Sequence, residues 1–481
     1  MKKSILFISL LSLFAGVLQA QPLKKSVTWE NICNHPAPLP VAGKITLVKS
    51  DLQKPSLWSI GSETLDRDFA DFDKYIQYMG ETGAGYSRLQ SGWAKTEKRK
   101  GKYSFEWLDH QVDGLLEQGI RPWLCLCYGN PVYSDSGHDL NAGIFGDGPV
   151  MDGWLKYVRQ VVRRYRGKVT MYEVWNEPDG AKPANGKRGE SWREYANLFV
   201  QTAKVIREED PEAKIAALAA YSFNNGYFEN ALREIERLGG LGDVDYVTYH
   251  AYWSIPERIV KRVEELKELC SRLNPAIQVL QGESGCPAQL EYGHALNNIE
   301  WTEYSQAKWD LRHMLTNFSM GCPSSVFTMV DLNYGWMIQS YGLIRMNLKS
   351  EPQYKRPKFY AFQHVTSIFT PDYSADKRVR LTACNSDLPM QVTGVQKEGR
   401  AVGVIVYVGG EKPSDSLERR LFNISLEGVQ LEDPVYVDLL TGYVHELSDR
   451  VKVQGDGVDI KALPLWDCPV LIMERSEINF K

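Results

Sequence analysis

An α/β chain built as a (β/α)8 TIM barrel with a C-terminal antiparallel β-sandwich is the fold class this 481-residue sequence predicts. Three observations predict it. Between residues 58 and 369, short apolar runs alternate with amphipathic stretches, the reading expected of parallel strands wrapped by helices. After Phe369 the texture changes to short runs of period two, separated by turn residues such as Gly409-Gly410, Thr441-Gly442 and Gly455-Asp456-Gly457, as in antiparallel sheets. The chemically suggestive side chains fall just past the ends of the barrel runs, where such barrels build their sites.

Residues 1–20 read as a secretory signal. Lys2-Lys3 precede an apolar run from Ile5 to Leu18, and a small residue, Ala20, precedes Gln21. The run is too short and wrongly flanked for a membrane anchor, so a periplasmic or secreted protein is expected. Residues 21–50 form an N-terminal segment in which 44–48 is placed to add a strand to the sandwich. The barrel is assigned to 51–369, with strands at 57–60, 86–89, 122–127, 169–174, 214–219, 246–249, 277–280 and 325–330. Between them, Trp154, Leu155, Val158, Val161, Val162 and Tyr165 recur at helical spacing, as do Ile259, Val260, Val263, Leu266 and Leu269. The sandwich is assigned to 370–481.

Composition narrows the function. The net charge is −4, from 56 basic and 60 acidic residues, so the overall balance points to neither nucleic acid nor an anionic membrane. The basic run Lys98-Arg99-Lys100-Gly101-Lys102 reads as a solvated loop. Aromatic residues make up 11% of the chain; most serve the core, and the rest suit the apolar faces of sugar rings. Eight cysteines in an exported chain permit disulfides without demanding them. Cys125 and Cys127, about 6.6 Å apart on one strand face, are expected to be free buried thiols. Asn317 and Asn423 head Asn-x-Ser sequons, relevant only where a host glycosylates.

Two stretches carry the chemistry. Tyr172-Glu173-Val174-Trp175-Asn176-Glu177-Pro178 runs from a buried strand into a carboxylate before a Pro-broken loop, and Ile277-Gln278-Val279-Leu280-Gln281-Gly282-Glu283-Ser284-Gly285 repeats that design. Glycosidic cleavage needs such a pair, one carboxyl protonated to donate to the leaving oxygen and one ionised to meet the anomeric carbon. Burial and repulsion favour the first state, donors or a cation the second.

Trp175-Asn176-Glu177-Pro178 resembles the signature of the clan A retaining glycoside hydrolases letter for letter. With Arg88, Trp93, Tyr128-Gly129-Asn130-Pro131 and His250-x-Tyr252 in that order, the chain looks most like the family 39 β-glycosidases and their relatives, over residues 58–369. The resemblance implies a retaining hydrolase in which Glu177 is the acid/base, Glu283 the nucleophile and Asn176 a donor to the sugar 2-hydroxyl. It calls for no metal or organic cofactor and for a carbohydrate as partner.

The remaining site residues follow from placement. Arg88, inside an apolar strand, must find a carboxylate, and Glu283 is the expected partner. His250 and Tyr252 share a parity and should face the same way; core packing is the alternative for Tyr252 and a structural role for His250. Tyr128, Asn130 and Trp93 are expected to contact sugar, with a turn-forming role as the alternative for Asn130. The family often carries a Trp ending strand eight, whereas here the run is Val326-Phe327-Thr328-Met329-Val330-Asp331, so Trp336 is the candidate stacking platform. A non-catalytic carbohydrate-binding protein on this scaffold and a transglycosylase are the alternative functions. The sugar, its linkage, exo against endo action and the oligomeric state do not follow from these residues.

Overall fold

The computed structural model describes residues 23–54, 56, 58–140, 142, 148–181 and 190–481. The signal at 1–20 and the start of the first expected strand at Leu57 lie outside them. Eight parallel strands close a barrel in chain order: Ser59–Gly61, Tyr86–Gln90, Arg121–Leu126, Met171–Val174, Lys214–Ala220, Tyr246–Tyr249, Gln278–Ser284 and Ser324–Val326. Ser324–Val326 pairs with both Gln278–Ser284 and Ser59–Gly61, which completes the ring.

The last strand is shorter than the expected 325–330. Beyond Val326 the regular ladder ends: the amides of Phe327 and Met329 still reach the carbonyls of Ser284 and Gly61, but Thr328 and Met329 present their own carbonyls to the amides of Leu343 and Ile344. The seventh strand is longer than 277–280 and carries Glu283 within it.

Helices cover the barrel as the apolar spacing requires. Pro149–Tyr165 starts with Pro at its first position, where a missing N–H costs nothing, and buries Trp154, Val158, Val161, Val162 and Tyr165. The stretch from Ile259 divides into a 3-10 turn, Pro256–Ile259, and an α-helix, Val260–Leu273, that buries Val263, Leu266 and Leu269. Each such aliphatic side chain contributes about 1.5–3 kcal/mol on burial, so the inward stripe holds each helix to the strands.

The C-terminal region forms two antiparallel sheets. The larger runs Tyr373–Asp376, Met390–Lys397, Arg400–Val408, Val470–Glu474, Pro434–Asp438, Tyr443–Glu446 and Val41–Lys44; the smaller runs Arg380–Cys384, Arg420–Glu427, Gly457–Leu465 and Val451–Gln454. Val402, Val404 and Val406 of one and Phe422, Ile424 and Leu426 of the other share one buried cluster. The N-terminal strand is Val41–Lys44 rather than 44–48, because Lys44 and Thr46 are taken up by the backbone of Lys481 and Asn479.

Helix Glu303–Ser319 is buried on nearly every side, because it lies between barrel and sandwich. Its Lys308 reaches across to Asp467 at 2.6 Å and to the carbonyls of Ser414 and Ser416. Glu257 takes Arg312 at 2.6 Å and the Tyr407 hydroxyl at 2.8 Å, so one ion pair, Lys308–Asp467, and the hydrogen bond from Tyr407 tie the sandwich to the barrel wall.

All eight cysteines are free, Cys125 and Cys127 among the buried ones. The basic run at 98–102 is exposed. Asn317 is buried and accepts from the Tyr249 hydroxyl, so folding hides that sequon. No helix among the described residues is long and apolar enough to cross a membrane.

Candidate active site

A cleft of about 750 Å³ opens at the C-terminal ends of the barrel strands, and Tyr128, Asn176, Glu177, Tyr252 and Glu283 line it. A larger hollow, about 1090 Å³, lies on the sandwich. Its Lys377, Arg378, Arg380 and Arg400 are each matched by an acid, Glu264, Asp376, Glu427 and Glu477, so the concentration of unspent chemistry is in the barrel.

Arg88 organises the cleft floor. Fully buried in the second strand, it donates from Nε to Glu173 at 2.7 Å, from Nη1 to Glu283 at 2.7 Å and from Nη2 to Asn176 Oδ1 at 2.8 Å. A guanidinium is the one side chain whose fixed fork serves three acceptors in a plane. The Arg88–Glu283 pairing is the one expected from sequence. Asn176 donates to the Tyr128 hydroxyl at 2.7 Å, so its amide is fixed from two sides.

Glu177 follows the fourth strand with φ +51°, in the left-handed region. Its loop is pinned by Asp179, whose carboxylate accepts from the amides of Tyr221 and Ser222 and from the Ser222 hydroxyl. That anchorage aims the Glu177 carboxyl at the cleft, where Oε1 lies 2.9 Å from His250 Nδ1. Across the cleft, Tyr252 donates to Glu283 Oε1 at 2.6 Å. His250 and Tyr252 thus both face the cleft, although they lie in the loop after the sixth strand, with Ala251 at φ +58° between them.

The two carboxyls sit in opposite environments. Burial pushes Glu177 up from the ordinary value of 4.5, against the opposing bond from His250; its side chain is still 35% exposed to the cleft, so water moderates the effect. Burial would also raise Glu283, but the charges of His250 and Arg88 and the Tyr252 hydroxyl outweigh it and hold the group below 4.5. His250 itself is drawn above its usual range: burial opposes the charge, and Glu283 and Glu177 overcome it.

Among the described residues, one atom each from Glu177, His250 and Glu283 lies within 4.8 Å of the others. That spacing suits a cation geometrically, but the Arg88 guanidinium at 2.7 Å already neutralises Glu283 and would repel a second positive charge.

Two expected sugar contacts, Trp93 and Asn130, are buried away from the cleft, and a third, Trp336, is at its rim. Trp93 is buried, donating from Nε1 to Glu97 at 2.6 Å and packed against Tyr133, Trp154 and Tyr157; its helix turns it outward from the strand end into the wall. Asn130 is buried and donates to the carbonyls of Trp93 and Glu97 while accepting from the Val132 amide, which is the turn-forming role. Trp336, 70% exposed, is not itself in the cleft lining but stacks on His294, which is, and so stands at the rim of the cleft. Phe327 and Tyr334 line the cleft instead.

Sequence reasoning passed over Glu63, Glu173, Arg67 and Gln90. Glu173 lies inside a strand and accepts from Arg88 and from Thr248 Oγ1 at 2.6 Å. Glu63 follows the first strand by two residues, the placement that marked out the other site residues.

The model of the glycosyl hydrolases family 39 matches residues 86–274, a stretch that holds Arg88, Glu177 and His250 and ends before Glu283. The chain is similar to family 39 of the glycosyl hydrolases. Among solved structures, it resembles a family 39 glycoside hydrolase from Bacteroides cellulosilyticus WH2, at 15% identity and a TM-score of 0.63 over 89% of this chain and 82% of that one. A monomeric β-xylosidase from Caulobacter crescentus CB15 is similar at 17% identity and a TM-score of 0.56, over 91% and 98%. A family 39 enzyme from Xanthomonas axonopodis pv. citri matches at 15% identity and a TM-score of 0.54, over 91% and 98%. No curated protein sequence matches the chain. At these identities the likeness is one of fold, an eight-stranded parallel barrel with antiparallel sheets in the C-terminal region.

Proposed function

We propose that this chain is an exported β-glycoside hydrolase acting with retention on a poly- or oligosaccharide. One observation carries the reading: oxygens of Glu177 and Glu283 face each other within 4.8 Å across the cleft, in environments that push their protonation apart. Retaining enzymes hold their carboxyls about 5–5.5 Å apart, whereas inverting enzymes need about 6.5–9.5 Å to seat a water between them.

The reaction follows from those positions. Glu177 gives its proton to the glycosidic oxygen as Glu283 attacks the anomeric carbon, so the C–O bond to the leaving group breaks while an ester to Glu283 forms. Glu177, now ionised, takes a proton from water, whose oxygen displaces Glu283 and restores both groups. His250 at Glu177 Oε1 and the Tyr252 hydroxyl at Glu283 Oε1 hold the two carboxyls in register. Asn176, fixed by Arg88 and Tyr128, presents its remaining N–H to the 2-hydroxyl.

Proton NMR of the first-formed sugar tests this on a panel of aryl β-glycosides that includes β-xylosides. The initial product should keep the β configuration, and a 2-fluoro glycoside should add its mass to the peptide holding Glu283. An α product, or a label on another peptide, would overturn the mechanism.

The pH dependence has a definite sign. Glu283 must be ionised and its pKa lies below 4.5, so kcat/KM falls on the acid side as pH drops through that lowered value. Glu177 must be protonated and its pKa lies above 4.5, so kcat/KM falls again as pH rises through the raised value. A bell with both limbs on one side of 4.5 would contradict these assignments.

A further inference from the structure

Glu63 is the acid the mechanism leaves unused. Its side chain is 1% exposed at the cleft floor, and its Oε1 has no hydrogen-bond partner. The nearest cation, Arg88 Nη1, is 3.6 Å away and is already given to Glu283 at 2.7 Å. Oε2 is 3.4 Å from Thr328 Oγ1, but that hydroxyl's single proton is better placed for the Gly61 carbonyl at 2.8 Å.

Such an arrangement is costly for a folded protein. A buried polar atom without a partner loses hydration that nothing inside replaces, and three buried acids, Glu63, Glu173 and Glu283, crowd one guanidinium. A neutral Glu63 relieves the crowding: burial and then the Glu283 charge push its pKa up to about 8, against the opposing charges of Arg88 and His250, with the buried Tyr75 phenol as a further titratable neighbour. A carboxylic acid offers one donor and one acceptor to whatever enters beside it. Sugar hydroxyls need that pairing, since each both donates and accepts.

We infer that Glu63 reads a hydroxyl of the glycosyl unit seated over Glu283, other than the 2-hydroxyl that faces Asn176, and so determines which sugar the cleft accepts. The inference rests on the carbohydrate site proposed above and adds the residue that discriminates within it.

Calorimetric titration with methyl β-glycosides and their 3-deoxy and 4-deoxy derivatives tests it, run in parallel with aryl glycoside turnover on intact protein, Glu63→Gln and Glu63→Ala. Glu63→Gln keeps a donor and an acceptor and should bind the best glycoside within about fivefold of intact protein, whereas Glu63→Ala should bind it about 10- to 100-fold more weakly. One of the two deoxy derivatives should bind intact protein and Glu63→Ala alike, because the hydroxyl being read is gone. In turnover the loss in Glu63→Ala should appear chiefly in KM. A loss spread equally over all derivatives would make Glu63 a structural residue and overturn the inference, as would unchanged binding in Glu63→Ala or no binding of any glycoside. Hydroxyl-dependent binding without turnover would keep this inference and overturn the proposed hydrolysis.

Discussion

Glu283→Gln should lower kcat by at least about 10⁴-fold, the scale on which removal of a catalytic nucleophile is felt. The amide has nearly the same shape but no charge with which to form the ester. In the intact protein the two oxygens of Glu283 accept from different donors, Arg88 at 2.7 Å and Tyr252 at 2.6 Å. Gln has one acceptor, so one donor is left unserved at a cost of about 1–3 kcal/mol, and a modest drop in the midpoint of thermal unfolding should accompany the loss of turnover. Removing the charge has a second consequence. Glu283 raises both Glu177 and Glu63, so both should titrate lower in the variant, which carbon-detected NMR of labelled Glu side chains reads directly. Stopped-flow kinetics on a dinitrophenyl glycoside should show no burst. Retention of more than about 1% of turnover, a hundred times the expected residue, would place the nucleophile elsewhere.

Arg88→Met should be the most destabilising single change at the site. The guanidinium is wholly buried and serves Glu173, Glu283 and Asn176 at once; removing one member of a buried ion pair costs about 3–5 kcal/mol, because buried Glu173 loses its cation and Glu283 keeps only His250 as a close counter-charge. The pH dependence reveals the cause. Without the cation that helps hold Glu283 low, that carboxyl takes up a proton more readily, so the deficit relative to intact protein should be largest at neutral pH and shrink as pH falls. Glu173→Gln in the Arg88→Met background should recover part of the stability by removing one orphaned charge. Unfolding midpoints in urea at two pH values suffice for the comparison, and equal midpoints for intact protein and Arg88→Met would sink it. Lysine would not substitute, since a single ammonium cannot meet acceptors that a planar fork spreads over three nitrogens.

The barrel was legible because its signal is local. Alternation of apolar runs with helical stripes repeats along residues 58–369, and the strand at Tyr246–Tyr249 is observed with the expected bounds. Glu177 and Glu283 were legible for a related reason: each sits where an apolar run ends, and that end is a property of the run itself. Trp93 and Asn130 also sit near a strand end, yet the same rule misled there. Their side chains are claimed by Glu97 and by the backbone of a neighbouring loop, partners that no spacing in the sequence specifies. Glu63 and Glu173 went unread although the arguments for them were to hand. Glu63 satisfies the strand-end rule, and Glu173, like Arg88, is a charge inside an apolar strand that needs a partner.

By itself, then, the order of residues determined which segments become strands, which mouth of the barrel carries the polar side chains and which two carboxylates stand there. Only the tertiary structure decided what those carboxylates are worth. Whether a Glu holds its proton depends on the few ångströms to Arg88, His250 and the other acids and on how much water reaches it. Those distances join strands far apart along the chain, whereas strand and helix periodicity reports only on neighbours a few residues away.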